Sequence, residues 1–280
     1  MKLGIFARTY HTQDLEQLFS SISKDGLSVV HFNMSCAGLD ALPETVPEGF
    51  PEYIKGLAEM FRVELGGISA TYNMIHPDPA IRHAGARSLQ ELAAAASSMQ
   101  VKLVSLCTGS RDPDKWKWHP ENSSKASWKQ LLLSMEEAIR VTETFGTLLG
   151  IEPEQENIVK TPALAKKLLT ELQEPRLRII LDPANLFQTA SSREAVTRAM
   201  DSAMDLLKGH IAMAHAKDRT LEGKVVRPGK GAVDFGWFLQ SLVRTGFQGP
   251  LIMHGLDEAE VPEASDFLLD LINDGKNRGY

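Results

Sequence analysis

Cysteine is scarce in this chain. There are two, Cys36 and Cys107, too far apart for a metal-type spacing and too few for a disulfide framework. Both are expected as free thiols of a reducing compartment. Positive charge is not in excess: 30 Lys and Arg against 36 Asp and Glu leave a net charge of −6, which argues against a nucleic-acid face. No apolar run approaches the roughly 18 residues of a membrane helix. The apolar part of the opening MKLGIFARTYH is too short for a secretion signal. No clear repeat, low-complexity linker or Gly-rich phosphate cradle interrupts the sequence. The expectation is a cytoplasmic protein with no membrane and no nucleic-acid partner, forming one domain over residues 1–280. A hydrophobic content of 43% is enough for such a domain to bury a sizeable core.

The rest is organised around Leu177–Phe187, LRIILDPANLF. A near-continuous apolar run of this kind suits a parallel strand buried on both faces. It runs straight into Asp182, and Pro183 cannot extend a ladder. Three other strand-like runs also end in a ligand-capable residue: TLLGIE in Glu152, HIAMAH in His215 and GPLIMH in His254. Carboxyl ends of strands are where α/β barrels place their chemistry.

Taken in order, strands are expected at 3–6, 27–32, 65–71, 101–107, 148–152, 177–181, 211–215 and 250–253. Helices are expected at 14–22, 53–61, 78–99, 128–145, 161–172, 191–207, 235–245 and 261–272. Gly26 is placed to end the first helix. Thr161 and Asp234 are placed to cap the fifth and seventh. Segments 36–51 and 217–231 read as rim loops, and 108–127 as the longest polar insertion. Eight strands alternating with eight helices predict a (β/α)8 TIM barrel, with an open doubly wound sheet as the alternative.

The segments IEPEQEN, LDPANLF, HAKD, RPGKGAVDFGWFLQSL and GFQGPLIMHG resemble the sugar phosphate isomerase/epimerase family, whose members have the xylose isomerase-like barrel. The resemblance implies a divalent metal held by a Glu, an Asp, a His and a Glu at the ends of strands five to eight. Those positions are Glu152, Asp182, His215 and His254 here, so the last holds a histidine where the family has a carboxylate. It further implies a sugar or polyol-like carbohydrate as substrate, with Asn185 at a substrate-contacting position.

Two carboxylates and two imidazoles suit Mn²⁺, Zn²⁺, Fe²⁺ or Co²⁺ better than the hard, oxygen-preferring Mg²⁺. A metal that takes the keto and hydroxyl oxygens of a sugar acidifies the adjacent C–H, favouring enediolate chemistry. Glu152 is the candidate base, and His254 a ligand or the acid that returns the proton. Lys217 is placed to hold an enediolate oxygen. His76 and Arg111, just past strands three and four, are expected at the rim as substrate contacts, Arg111 through its fork. Trp118 and His119, with Trp116, are expected as a lid or an apolar wall. The leading reading is a metal-dependent sugar isomerase or epimerase. An inosose-type dehydratase and a non-catalytic sugar-binding barrel remain as alternatives, and rim loops of this length would suit a homodimer.

Overall fold

The computed structural model describes residues 1–277. Eight parallel strands close into a barrel: β1 (Leu3–Phe6), β2 (Val29–Phe32), β3 (Glu64–Ser69), β4 (Leu103–Cys107), β5 (Leu148–Glu152), β6 (Leu177–Leu181), β7 (Ile211–Ala216) and β8 (Leu251–Met253). Each pairs with its sequence neighbours, and β8 closes the ring on β1 through Leu3↔Leu251 and Ile5↔Met253. The helices are α1 (Leu15–Lys24), α2 (Phe50–Phe61), α3 (Pro79–Ser98), α4 (Lys125–Phe145), α5 (Pro162–Leu172), α6 (Arg193–Leu207), α7 (Phe235–Arg244) and α8 (Val261–Asn277). No helix among the described residues is long and apolar enough to cross a membrane.

Local chemistry sets most helix starts. Asp14, Asp78, Ser124, Thr161, Ser192 and Asp234 each accept a backbone N–H in the first turn, which satisfies donors that a helix start leaves unpaired. Gly26 follows α1 with φ +74°, the left-handed conformation that glycine adopts freely. The expected bounds shift most at the starts of α2 and α4 and at the end of α8, which runs on to Asn277 rather than stopping at 272. Helix α2 begins at Phe50 behind Gly49, three residues before Tyr53, because Pro51 fits a first turn that needs no N–H there. Helix α4 begins at Lys125, since Ser124 is the capping residue. The segment expected as a plain rim loop after β7 carries a small antiparallel ribbon, Asp218–Arg219 against Val225–Val226.

The main core lies between the barrel and its helices. Inside the barrel, Val29, Leu103, Ile180, Met213 and Ile252 form a second cluster. Side chains alternate faces along a strand, so the residues two further on also face inward. On the even strands these are His31, Ser105, Asp182 and His254. The floor is therefore apolar and the layer above it polar, as expected where barrel interiors fill in layers from alternate strands. Gly67 makes room for that arrangement: a Cβ there would meet Met213 Cε at 3.1 Å and His31 Cδ2 at 3.3 Å.

Candidate active site

Glu152 ends β5, Asp182 follows β6, His215 lies in β7 and His254 follows β8. One donor atom from each lies within 4.8 Å of the others, a grouping that could hold a metal ion. His215 Nδ1 is 3.1 Å from Glu152 Oε1 and 3.6 Å from Asp182 Oδ2. The residues fit a cation on a second count. Asp182 Oδ2, His215 Nε2 and His254 Nδ1 are buried without a hydrogen-bond partner, whereas buried polar atoms are ordinarily paired.

The electrostatics also call for positive charge. Burial alone would raise the Asp182 carboxyl, but Lys217 and His215 bring it down to about 2. Burial pushes Glu152 up as well, and His215 beside it carries it below its ordinary value. Burial would lower His215, yet the two carboxylates raise it to about 10. Without a metal, a proton on His215 thus balances the pair. Burial, reinforced by His215 and Lys217, lowers His254 to about 4. It is neutral at pH 7 and has a lone pair to offer.

Lys217 and Asn185 stand beside the cluster. Lys217 Nζ is 3.7 Å from Asp182 Oδ2 and donates to Asn185 Oδ1 at 3.3 Å. Asn185 Nδ2 donates to Glu152 Oε1 at 3.0 Å. Behind Lys217, Asp218 is fully buried and accepts the backbone N–H groups of Arg219, Gly229, Gly231 and Val233 at 2.7–3.1 Å. One carboxylate therefore ties down the loop that leaves β7. Gly231 is required there, because a Cβ would collide with Asp218 and with the backbone of Arg219.

The cluster opens into a cavity of about 200 Å³ at the carboxyl ends of the strands, lined in part by Phe6, His31, Ser105, Trp116, Glu154 and His254. His31 and Glu154 carried no mark in the sequence. His31 sits inside the strand VVHF and reads as core, and Glu154 sits in a polar loop among other charges. Burial and the neighbouring Glu152 push the Glu154 carboxyl up to about 7. Burial pulls the His31 imidazole well below its ordinary value.

Five residues expected as substrate contacts are absent from the cavity lining: Asn185, held between Glu152 and Lys217, and four that stand further off. His76 Nδ1 accepts the Asp78 N–H at 3.0 Å in the turn before α3. Arg111 donates to the Ile75 carbonyl at 3.0 Å and pairs with Glu121 at 3.6 Å. His119 Nδ1 accepts the Glu121 N–H at 3.2 Å, capping a short turn. Trp118 faces outward with Lys160 over its ring at 3.7 Å. The insertion carrying three of them is fastened by side-chain amides: Asn73, Asn122 and Asn157 accept the N–H groups of Ser110, Arg111 and Gly109 at 2.6–3.0 Å. From it, Lys115 and Trp116 reach the cavity rim.

The sequence profile of the xylose isomerase-like TIM barrel matches residues 6–271. No curated protein matches the sequence. Among solved structures, a D-tagatose 3-epimerase-like protein superposes with a TM-score of 0.80 at 14% identity, covering 100% of both chains. The 3-keto-D-glucoside 4-epimerase YcjR from E. coli gives 0.76 at 18% identity, covering 98% of this chain and 99% of its own. The D-psicose 3-epimerase from Clostridium cellulolyticum H10, solved with D-tagatose, gives 0.72 at 16% identity over 98% of each. At these identities the likeness is one of fold. With the profile spanning nearly the whole length and the closed eight-stranded barrel beneath it, the chain belongs to the xylose isomerase-like TIM barrel family.

Proposed function

We propose that the protein is a divalent-metal-dependent epimerase or isomerase of a small sugar or polyol-like carbohydrate. The observation that carries this reading is the grouping of Glu152, Asp182, His215 and His254 within 4.8 Å at the strand ends, with three of their polar atoms buried and unpartnered. The structural neighbours that act on ketoses and keto-sugars support the substrate class. The donor set favours Mn²⁺, Zn²⁺, Fe²⁺ or Co²⁺ over Mg²⁺. Such an ion supplies Lewis acidity to the carbonyl and hydroxyl oxygens of a substrate.

The chain's own groups do the rest. Glu152 is the base that takes the proton from the carbon beside the carbonyl, leaving an enediolate. Asn185 orients the Glu152 carboxylate through its 3.0 Å hydrogen bond. Lys217 brings positive charge to the same wall and is placed to steady the enediolate oxygen. Delivery of that proton by Glu152 to the former carbonyl carbon, on the same face, gives isomerisation, whereas its return to the original carbon regenerates the substrate. Return from another group inverts the carbon. Glu154 lines the cavity with its carboxyl pushed up to about 7 and is the candidate for that second group.

The test is metal content followed by turnover. Protein purified without chelator or nickel should hold about one equivalent of metal by elemental analysis, and His254→Ala should lose it. The Mn²⁺- or Co²⁺-loaded protein should interconvert at least one of D-psicose, D-tagatose, D-fructose, L-ribulose or a 3-keto-glucoside, and Glu152→Gln should abolish this. Absence of retained metal after soaking, together with no conversion across the panel, would overturn the reading. Binding of a ketose without turnover would favour the sugar-binding barrel instead.

A further inference from the structure

The wall formed by β2 and β4 carries a polar pair that the chemistry above leaves unused. His31 is 3% exposed and Ser105 is 5% exposed. His31 Nε2 lies 2.9 Å from Ser105 Oγ, while its Nδ1 is buried with no partner. Both residues line the same cavity as Glu152, His215 and His254. They stand in the same interior layer as Asp182 and His254, with Phe6 between the rings of His31 and His254. Against the imidazole lie the rings of Phe6 at 5.1 Å and His215 at 6.1 Å, and none of its hydrogen bonds or ion pairs is to a carboxylate. A structural histidine in a core ordinarily has both nitrogens satisfied. This one has one nitrogen committed and the other buried without a partner, in a residue that lines the cavity.

Resting on the reading of the site as a metal-dependent sugar enzyme, we propose that His31 is a substrate-binding residue, hydrogen-bonding through Nδ1 to an uncharged oxygen of the substrate beside the metal-ligand cluster. Ser105 is the positioning residue that fixes the imidazole. The chemistry selects a hydroxyl or carbonyl oxygen. A buried imidazole without a carboxylate partner offers one hydrogen bond and no charge, so it does not match a carboxylate or phosphate. A hydroxyl both donates and accepts, and so suits either tautomer. The size of the cavity points the same way. At about 200 Å³ it is smaller than the 300–1,000 Å³ usual for drug-sized ligands, which suits one monosaccharide unit.

The experiment uses full-length protein labelled with 15N-histidine and loaded with Zn²⁺, followed by long-range 1H–15N spectra during titration with D-psicose, D-tagatose and D-fructose. His31 should show one neutral tautomer in the free protein, and its Nδ1 signal should move with the ketose that binds. His31→Gln should weaken that ketose at least about tenfold, with an unchanged circular dichroism spectrum. Ser105→Ala should convert the His31 signal into a tautomer mixture, with a smaller loss of affinity. A ketose that shifts His215 and His254 while His31 stays unmoved would overturn the role of His31 and leave the metal-centred reading standing. Binding to His31→Gln at wild-type strength would do the same. If no ketose perturbs any histidine, the role of His31 falls, and metal content with turnover across the wider panel decides the metal-centred reading. Should His31→Gln fold poorly, the wild-type titration decides alone.

Discussion

Strands β5 to β8 lead into Glu152, Asp182, His215 and His254, whereas the cavity-lining positions on β1 to β4 are Phe6, His31, Ser69, Ser105 and Cys107. One half of the mouth is thus built from charge and lone pairs, the other from a ring, an uncharged imidazole, hydroxyls and a thiol. The two halves ask different things of the scaffold. Two buried carboxylates repel one another and need a cation, which Lys217, protonated His215 or a metal can supply. The β1–β4 half needs only shape and paired donors. It follows that the first half should be sensitive to charge, metal and pH, and the second to geometry.

The largest difference should come from one substitution in each half. Asp182→Asn keeps the volume but removes an anionic donor, so metal content should fall from about one equivalent to near zero. Turnover of any responsive ketose should drop at least about 10³-fold, about 4 kcal/mol of barrier. Ser105→Ala should cost no more than about tenfold, about 1.4 kcal/mol, with metal retained. Elemental analysis and progress curves on both variants check this, and equal losses would break the contrast. Next in size is the support behind the charged half. Asp218→Ala leaves four backbone N–H groups without their acceptor. It should destabilise by about 3 kcal/mol, a fall in Tm of roughly 6 °C by scanning calorimetry. A Tm within a degree of wild type would mean that the loop has another anchor.

The pH response sharpens the comparison further. Burial opposes a charge on His215, but Glu152 and Asp182 win and raise it to about 10. A raised imidazole stabilises the folded state fully below its unfolded value of 6.5, and that contribution is lost as pH rises toward about 10. Metal-free protein should therefore lose stability across this window. A metal must displace the same proton, so about one proton should be released per ion bound near pH 8. Affinity should tighten about tenfold per pH unit between about 7 and 9. Calorimetry in two buffers of different ionisation enthalpy measures the proton count, and a count near zero would refute the balance drawn here. The smallest effect belongs to the thiols. Burial pushes Cys36 up to about 11, and Cys107, on the cavity wall, well above its ordinary value. Neither should alkylate with iodoacetamide at pH 8 in native protein, and both should in denaturant. Rapid native labelling of Cys107 would show the β4 wall to be more open than described.

The strands could be read from the chain because a buried parallel strand leaves a continuous apolar run. A ligand-capable residue right after such a run, as in LRIILD, marks the mouth of a barrel. The polar residues of the β1–β4 half leave no such trace. His31 stands one residue before the end of its strand and could as well have been packed. Glu154 gained its character from its distance to Glu152 and from burial, neither of which a loop sequence displays. His76 and Arg111 are expected as rim contacts and His119 as part of a lid or apolar wall. Their polar atoms are nonetheless taken by nearby backbone groups, and a competition of that kind is decided by turn geometry rather than by residue type. The caps were legible for the opposite reason: Thr161 and Asp234 act on neighbours three residues away.

The sealed layer of Val29, Leu103, Ile180, Met213 and Ile252 beneath the site makes the barrel a vessel with a single door. Whatever enters past Trp116 and Lys115 has to turn round and leave the same way. Product and incoming substrate then compete for one passage, and a proton lifted from the substrate can trade with bulk water only through that opening. Depth becomes a ruler: a ligand longer than the distance from the apolar floor to the rim keeps its far end outside, in solvent.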